Sequence, residues 1–437
     1  MIESGLAARR ERILLALGAV FVILNHLALT LALGQGVMGL WPILIWLVCA
    51  AAAHFMLGRL LPQHDPYLLP VVMLLAGWGL TLVARLAPAF TIRQAIWVVI
   101  ATAVMLVVGA LPPDLRILRR YRYTWLLAGL VLLAATLLLG TNPSGDPYAP
   151  RLWLGGWGIY FQPSELLKLL LAIFLASYLA EKREMLIETL RRFSPMPYLG
   201  PMLLMWGFCM VLLIWQRDLG AAALFFIVFL VMLYLSTGQA RYAVAGIILL
   251  ILAGVVGYML FDVVRLRVDT WWNPWPEADS RAFQIVQSLL AFAAGGLFGQ
   301  GVSQGAPTYI PVVHSDFVFA AIAEEWGLLG AIGIVVCFAL LVMRALHIAI
   351  SRLRLRFLAL LAAGIGTLLG VQALMIMAGV LKLIPLTGVT LPFVSYGGSS
   401  LLSSFVMVGL LLRISDPAPH TARRRAALRD AVAEFSP

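Results

Sequence analysis

Charge is what this chain has least of. Asp, Glu, Lys and Arg make up 12% of its 437 residues, about half of the roughly 25% carried by soluble domains. Apolar residues make up 62%. A soluble domain of ordinary size is excluded, and an all-α polytopic membrane protein is expected. Cysteine is also scarce. Cys49, Cys209 and Cys337 fall inside apolar runs without metal-ligand spacing, so they read as small buried hydrophobes. The net charge of +11 sits in short loops between apolar runs, where basic residues set membrane orientation. It does not point to nucleic acid. The start, MIESGLAARRERILL, has a basic flank but no small-residue cleavage site after it, so the first apolar run reads as a retained span.

What is present is a series of long apolar runs. A span needs about 20 apolar residues. Runs at 12–33, 38–61, 67–87, 94–112, 124–140, 163–181, 200–215, 219–237, 243–263, 317–344, 357–380 and 397–413 predict about twelve spans. All should be helices, because a segment in lipid must satisfy its own backbone hydrogen bonds. Lys and Arg concentrate in alternate loops, including Arg9, Arg10, Arg116, Arg119, Arg120 and Arg356. That bias fits an even span count with both termini cytoplasmic. Segments 141–162, 264–316 and 381–398 then lie outside. No inverted internal repeat is visible. The chain divides into an N-terminal hairpin (1–62), a membrane core (63–415) and a cytoplasmic tail (416–437).

Some residues are too expensive in a membrane to be idle. Glu165 and Lys168 stand at i and i+3 at the start of a span, just after Pro163. They read either as an ion pair that pins the helix end or as the wall of a polar cavity. Gln216-Arg217-Asp218 interrupts an apolar run, as a tight turn or as a charged pair facing a shared cavity. Glu324 and Glu325 suggest a cavity or a re-entrant piece. Asp316 suits the cap of a helix starting at Phe317. Residues 385–400, PLTGVTLPFVSYGGSS, cannot form a regular helix, and can offer N–H groups and hydroxyls to an anion or a sugar. In the long outer loop from Val264 to Asp316, Glu277 and Asp279 are the only carboxylates between Asp269 and Asp316. Tryptophans 271, 272 and 275 stand beside them, as sugar platforms or interface anchors. Phe283 to Phe298, with Gln284, Gln287 and Ser288 on one face, predicts a short helix lying in the interface.

Together these segments resemble the SEDS family of membrane glycosyltransferases (RodA/FtsW/SpoVE-like), over about residues 67 to 415. The resemblance is carried by Arg93-Gln94 with Trp97, by Arg151 with Gln162 to Lys168, and by Gln216 to Gly220. It continues through Arg267 with Asn273 to Trp275, Gln284 with Gln287-Ser288, HSDFVFAAIAEEWG from His314, and PLTGVTLPFVSYGGSS. It implies a ten-helix core, to which residues 12–61 add two N-terminal helices, and a large extracytoplasmic loop. Two departures stand out. Arg217 replaces a proline. Ungapped spacing puts Glu277 at the position of the family's loop acid, with Asp279 two residues on, and Asp279 to Ala282 replaces a glycine-rich stretch. The acid is either Glu277 or Asp279, and spacing favours Glu277.

The resemblance implies polymerisation of peptidoglycan glycan strands from lipid II in cell elongation or division, with β-1,4 bonds formed and undecaprenyl diphosphate released. Glu277 or Asp279 would be the general base. Arg93, Lys168, Arg217 and Arg267 would face the diphosphate, with Glu165 and Asp218 positioning these cations or holding a divalent ion. Gln284, His314, Asp316, Ser395, Tyr396 and Ser399 complete the expected substrate-binding set. No cofactor is certain, and a divalent cation (Mg2+ or Mn2+) stays open. Expected partners are lipid II, the growing strand, membrane lipid and a class B penicillin-binding protein. The expected location is the bacterial cytoplasmic (inner) membrane, with the active face outside. Competing readings are a lipid II flippase, a polymerase or ligase for another undecaprenyl-linked glycan, and a non-catalytic scaffold.

Overall fold

The computed structural model describes residues 2–142, 150–156, 159–189 and 196–417. In chain order its helices are α1 (Ile2–Ala32), α2 (Trp41–Leu60), α3 (Leu68–Leu86), α4 (Thr91–Gly109), α5 (Arg116–Arg120), α6 (Arg122–Leu139), α7 (Pro163–Thr189) and α8 (Met196–Trp215). There follow α9 (Leu219–Thr237), α10 (Ala240–Leu260), α11 (Asp262–Trp272), α12 (Phe283–Gly295), α13 (Val318–Ser351), α14 (Arg356–Val380) and α15 (Gly398–Ser415). Eleven are long and apolar enough to cross a membrane. Within α8, Leu199–Trp215 is a shorter apolar helix at the place of the predicted 200–215 span. The expected tail, 416–437, lies outside the described residues apart from its first two.

The centre of the bundle is α3, α7, α14 and α15, whose apolar windows are mostly buried. By contrast α10 has only 6% of its window buried, so its flanks are left for lipid. The hairpin of α1 and α2 packs on α3 and α4. Its Trp46 Nε1–H donates to Met73 O at 3.0 Å. The Trp326 indole on α13 donates to Asn25 on α1. The linker after α2 is tied to the far end of the chain. Gln63 N–H donates to Asp416 Oδ1 at 2.9 Å, and Asp65 N–H to Ser415 Oγ at 3.0 Å. Asp65 also pairs with Arg344 of α13. These contacts put the linker and the end of α15 on one face.

The all-α expectation holds, with one small addition: β1 (Leu154–Gly156) pairs antiparallel with β2 (Ile159–Phe161) ahead of α7. Three finer expectations need correction. The interval 264–316 holds not only the expected short helix, α12, but also most of α11. α12 ends three residues early and packs on α13. Its buried Ser288 bonds Val380 O at 3.2 Å, so this polar position faces α14 and not water. Asp316 does not cap α13: it accepts from Ser315 Oγ at 2.6 Å, and α13 begins without a side-chain cap.

Glu324 and Glu325 are engaged by the fold itself. They hold down the loop after α12, which crosses α13 where that helix is broken at Gly327 (φ 67°). Gln300 N–H and Gly301 N–H donate to the carbonyls of Glu324 and Glu325 at 2.9 and 3.0 Å, and Leu328 N–H donates back to Gly296 O at 2.9 Å. The Glu324 carboxylate accepts from Ala306 N–H at 2.8 Å, and Glu325 pairs with Arg85 at 3.1 Å. A Cβ at Gly327 would lie 2.3 Å from Gly299 N. Only glycine fits both the conformation and the close approach.

Candidate functional site

Three polar assemblies arise from the expected residues. The first is a niche of about 30 Å3 between the starts of α7 and α9, the middle of α14 and segment 388–390. Lys168 is 2% exposed and pairs with Glu165 on the same helix. Its ammonium also donates to Gln372 Oε1 at 2.7 Å, and Gln372 donates on to Thr390 O at 2.8 Å. Ser403 Oγ donates to Glu165 at 3.2 Å. Asp218 caps α9 by accepting from Ala221 N–H at 3.2 Å and accepts from Ser164 Oγ at 3.1 Å. Burial pushes the Asp218 carboxyl above its usual range, against the pull of those two donors. Gly220 lets α9 meet the segment after α14, since a Cβ there would lie 2.3 Å from Thr387 O. A volume near 30 Å3 suits one water and not a diphosphate. Both readings of Glu165 and Lys168 therefore hold together: the ion pair is itself the wall of the niche.

The second assembly joins the HSD and SYGG stretches. Tyr396 N–H donates to His314 O at 2.8 Å, and Ser395 Oγ to Ser315 O at 2.5 Å. Tyr396 stacks on Phe90, with centroids 4.6 Å apart, and His314 leans on both rings. Exposed Arg93 lies 5.7 Å from the centroid of the Phe90 ring. Burial pushes the His314 pKa down and the Asp316 pKa up. Ser399 Oγ accepts from Gln162 N–H at 2.9 Å. Ser395 and Ser399 are buried and bonded to backbone groups, so they brace the fold.

Arg267 links the first two assemblies. It donates to Thr387 O at 3.1 Å and is held between the fields of Asp316 and Asp218. Burial lowers its pKa, and these carboxylates oppose the shift.

The third assembly is an open cleft of about 830 Å3 lined by α11 and the turn that follows it. Asp262, Arg265 and Asp269 recur along one face of α11 at the spacing of helical turns, and Trp272, Asn273, Glu277 and Arg281 close the cleft. Arg281 Nε lies 3.9 Å from Glu277 Oε2. Tyr258 O–H donates to Asp269 at 3.0 Å. Asp279 is exposed and does not line the cleft. The cleft and the Lys168 niche share no lining residue. Arg217 belongs to neither. Its backbone is left-handed (φ 60°), and its side chain is exposed beside Leu260, Phe261 and Asp262. Gln216–Asp218 is thus a tight turn whose two charges face different surroundings. Gln284 is half-buried at the start of α12 and lines neither site.

Sequence reasoning missed Gln372, Ser164, Ser403, Asp269 and Arg281. A lone glutamine inside the apolar run of α14 was the one available signal, since an amide in lipid needs a partner. No group of three or more His, Cys, Asp or Glu among the described residues is placed to hold a metal ion. Glu165 is engaged by Lys168, and Asp218 by Ser164 and the α9 amide.

The family model for cell cycle proteins of the FTSW_RODA_SPOVE type matches residues 67–419. The peptidoglycan glycosyltransferase RodA of Mycobacterium tuberculosis is 37% identical over 435 residues, covering 95% of this chain and 92% of that protein. A probable peptidoglycan glycosyltransferase FtsW of Geobacter sulfurreducens is 37% identical over 330 residues, covering 75% of this chain and 85% of that protein. Among solved structures, one chain of a peptidoglycan synthase complex, studied for its coordination of polymerization and crosslinking, superposes with TM-score 0.68 at 27% identity. The match covers 80% of this chain and 97% of that one. RodA of Thermus thermophilus superposes with TM-score 0.56 at 27% identity, covering 80% and 96%.

Proposed function

The chain belongs to the family of FtsW, RodA and SpoVE cell cycle proteins, and from that premise we propose how it works. It is a multi-pass membrane peptidoglycan glycosyltransferase. In the reaction, a sugar hydroxyl of lipid II attacks the anomeric carbon of a strand still attached to undecaprenyl diphosphate. A β-1,4 bond forms, the bond to diphosphate breaks, and undecaprenyl diphosphate leaves. The hydroxyl proton passes to a carboxylate acting as general base.

We assign that base to Glu277. The observation that carries the assignment is its place in the open cleft beside Arg265 and Arg281, with Asp279 outside it. The two arginines are suited to the negative charge that grows on the leaving diphosphate. Exposed Trp272 offers an aromatic face at the rim of the cleft. The Lys168 niche serves as the support that fixes α7, α9 and segment 385–400 against α11 through Arg267. Lipid II and the strand enter from the membrane, and a class B penicillin-binding protein is the partner that cross-links the product. The location is the bacterial cytoplasmic membrane, with both termini cytoplasmic and the cleft outside. The Lys and Arg asymmetry supports this orientation, as does the contact of Gln63 with Asp416.

Gel-resolved polymerisation of lipid II by purified protein tests the assignment. Glu277→Gln should lower the rate by about 100- to 10,000-fold, the usual worth of a general base. Asp279→Asn should stay near wild type. Full activity of the Glu277 variant, or loss confined to the Asp279 variant, would overturn it.

A further inference from the structure

A buried carboxylate sits where the N-terminal hairpin meets the core. Glu11 of α1 is 1% exposed. Its Oε1 is 2.6 Å from His54 Nδ1 on α2, and its Oε2 is 2.6 Å from His64 Nε2 in the linker to α3. The second nitrogen of His64, Nδ1, lies 2.6 Å from Leu61 O.

These distances count protons. A carbonyl oxygen can only accept, so His64 Nδ1 must carry a hydrogen. A neutral imidazole has just one N–H. The short contact from His64 Nε2 to Glu11 therefore needs a second proton, whether it rests on the imidazole or on the carboxyl. His54 needs only its ordinary N–H to bond the other oxygen. The cluster thus holds one proton more than a carboxylate with two neutral imidazoles.

The surroundings keep that proton. Burial by itself would lower the His64 pKa, but the Glu11 carboxylate, the Leu61 carbonyl and nearby Asp416 outweigh it and leave it raised. Asp416, whose charge acts on His64, pairs with Arg413 at 3.5 Å, and Asp65, next to His64 in the chain, pairs with Arg344. Without the extra proton, Glu11 would face a bare imidazole nitrogen, or His64 Nδ1 would face the Leu61 carbonyl without a hydrogen.

We propose that Glu11 and His64, oriented by His54, form a proton-binding site that fastens the N-terminal hairpin to the membrane core and loosens it when the proton leaves. The ligand is a proton drawn from the face that carries Asp416. The proton's contribution to attachment is full below the ordinary histidine pKa and is lost as pH rises through the raised value. Each unit of that shift is worth about tenfold in the ratio of attached to released hairpin.

Cys49, buried on α2, is a built-in reporter of release. In full-length protein carrying Cys209→Ser and Cys337→Ser, N-ethylmaleimide labelling of Cys49 is measured from about pH 6 to about pH 9, a window that brackets histidine titration. Rates are normalised to the same protein unfolded, which removes the pH dependence of thiolate formation. The normalised rate should rise severalfold with pH in this background. With His64→Gln or Glu11→Gln added, it should become flat. Either variant suffices if the other fails to fold. Parallel curves with and without the substitution, or a flat curve in the starting background, would overturn the proposal.

Discussion

Lys168 is the residue on which most of the niche converges. It is almost fully buried and is held by both Glu165 and Gln372. Removing one partner of a buried pair leaves an uncompensated charge, so Lys168→Met should cost about 3–5 kcal/mol. The double variant Lys168→Met with Glu165→Gln should recover much of the lost thermal midpoint, because no bare charge remains. Asp316 gives a pH prediction. Burial raises its folded pKa, so the folded state binds this proton more readily than the unfolded chain. Stability is highest at or below the ordinary aspartate pKa and declines as pH climbs through the raised value. Asp316→Asn should remove that decline, so its thermal midpoint should gain on wild type between about pH 4 and about pH 7. A constant difference across that window would refute the burial argument. Site residues were legible where charge stood out against an apolar background, as at Glu165, Lys168 and Asp218. Their partners were not, because Ser164, Ser403 and Gln372 are ordinary polar residues until three separate helices meet. The backbone partners of Ser395 and Ser399 were hidden for the same reason: nothing local reveals that a hydroxyl already has one.

At the scale of elements, most helices were legible, since long apolar runs leave a chain in lipid no other way to satisfy its backbone. The shortest run, 200–215, is where the pattern weakened, and there α8 runs from Met196 to Trp215. Breaks inside helices were not legible. The run from Phe317 reads as one span with two costly acids, and only the fold shows that Ala306 N–H and Arg85 meet their carboxylates while residues 300 and 301 meet their carbonyls. Gly327→Ala tests this account. The new Cβ meets Gly299 N, and a left-handed backbone costs about 1–3 kcal/mol for a residue other than glycine. The variant should lower thermal stability and expose the loop at 299–306 to protease before global unfolding. Equal protease resistance in the variant would show that the break in α13 does not depend on the loop.

At the scale of the whole molecule, the family match begins at residue 67, close to the limit read from motifs. The added hairpin contributes no residue to the niche or the cleft. A chain lacking residues 1–62 should therefore still polymerise lipid II, with a lower thermal midpoint because the Trp46, Asn25 and Glu11 contacts are gone. Abolished polymerisation in a folded truncated protein would show that the hairpin does more than support. The break in α13 also bears on how the molecule is made. The backbone that completes the carbonyls of Glu324 and Glu325 precedes them in the chain. A ribosome therefore delivers the filler first, and the helix with the gap arrives to find its partner already made. A circular permutant with new ends between Gly301 and Val318 would reverse that order. Its α13 would enter the bilayer with two acids and two carbonyls unmet, and insertion would stall at the step where the natural chain proceeds.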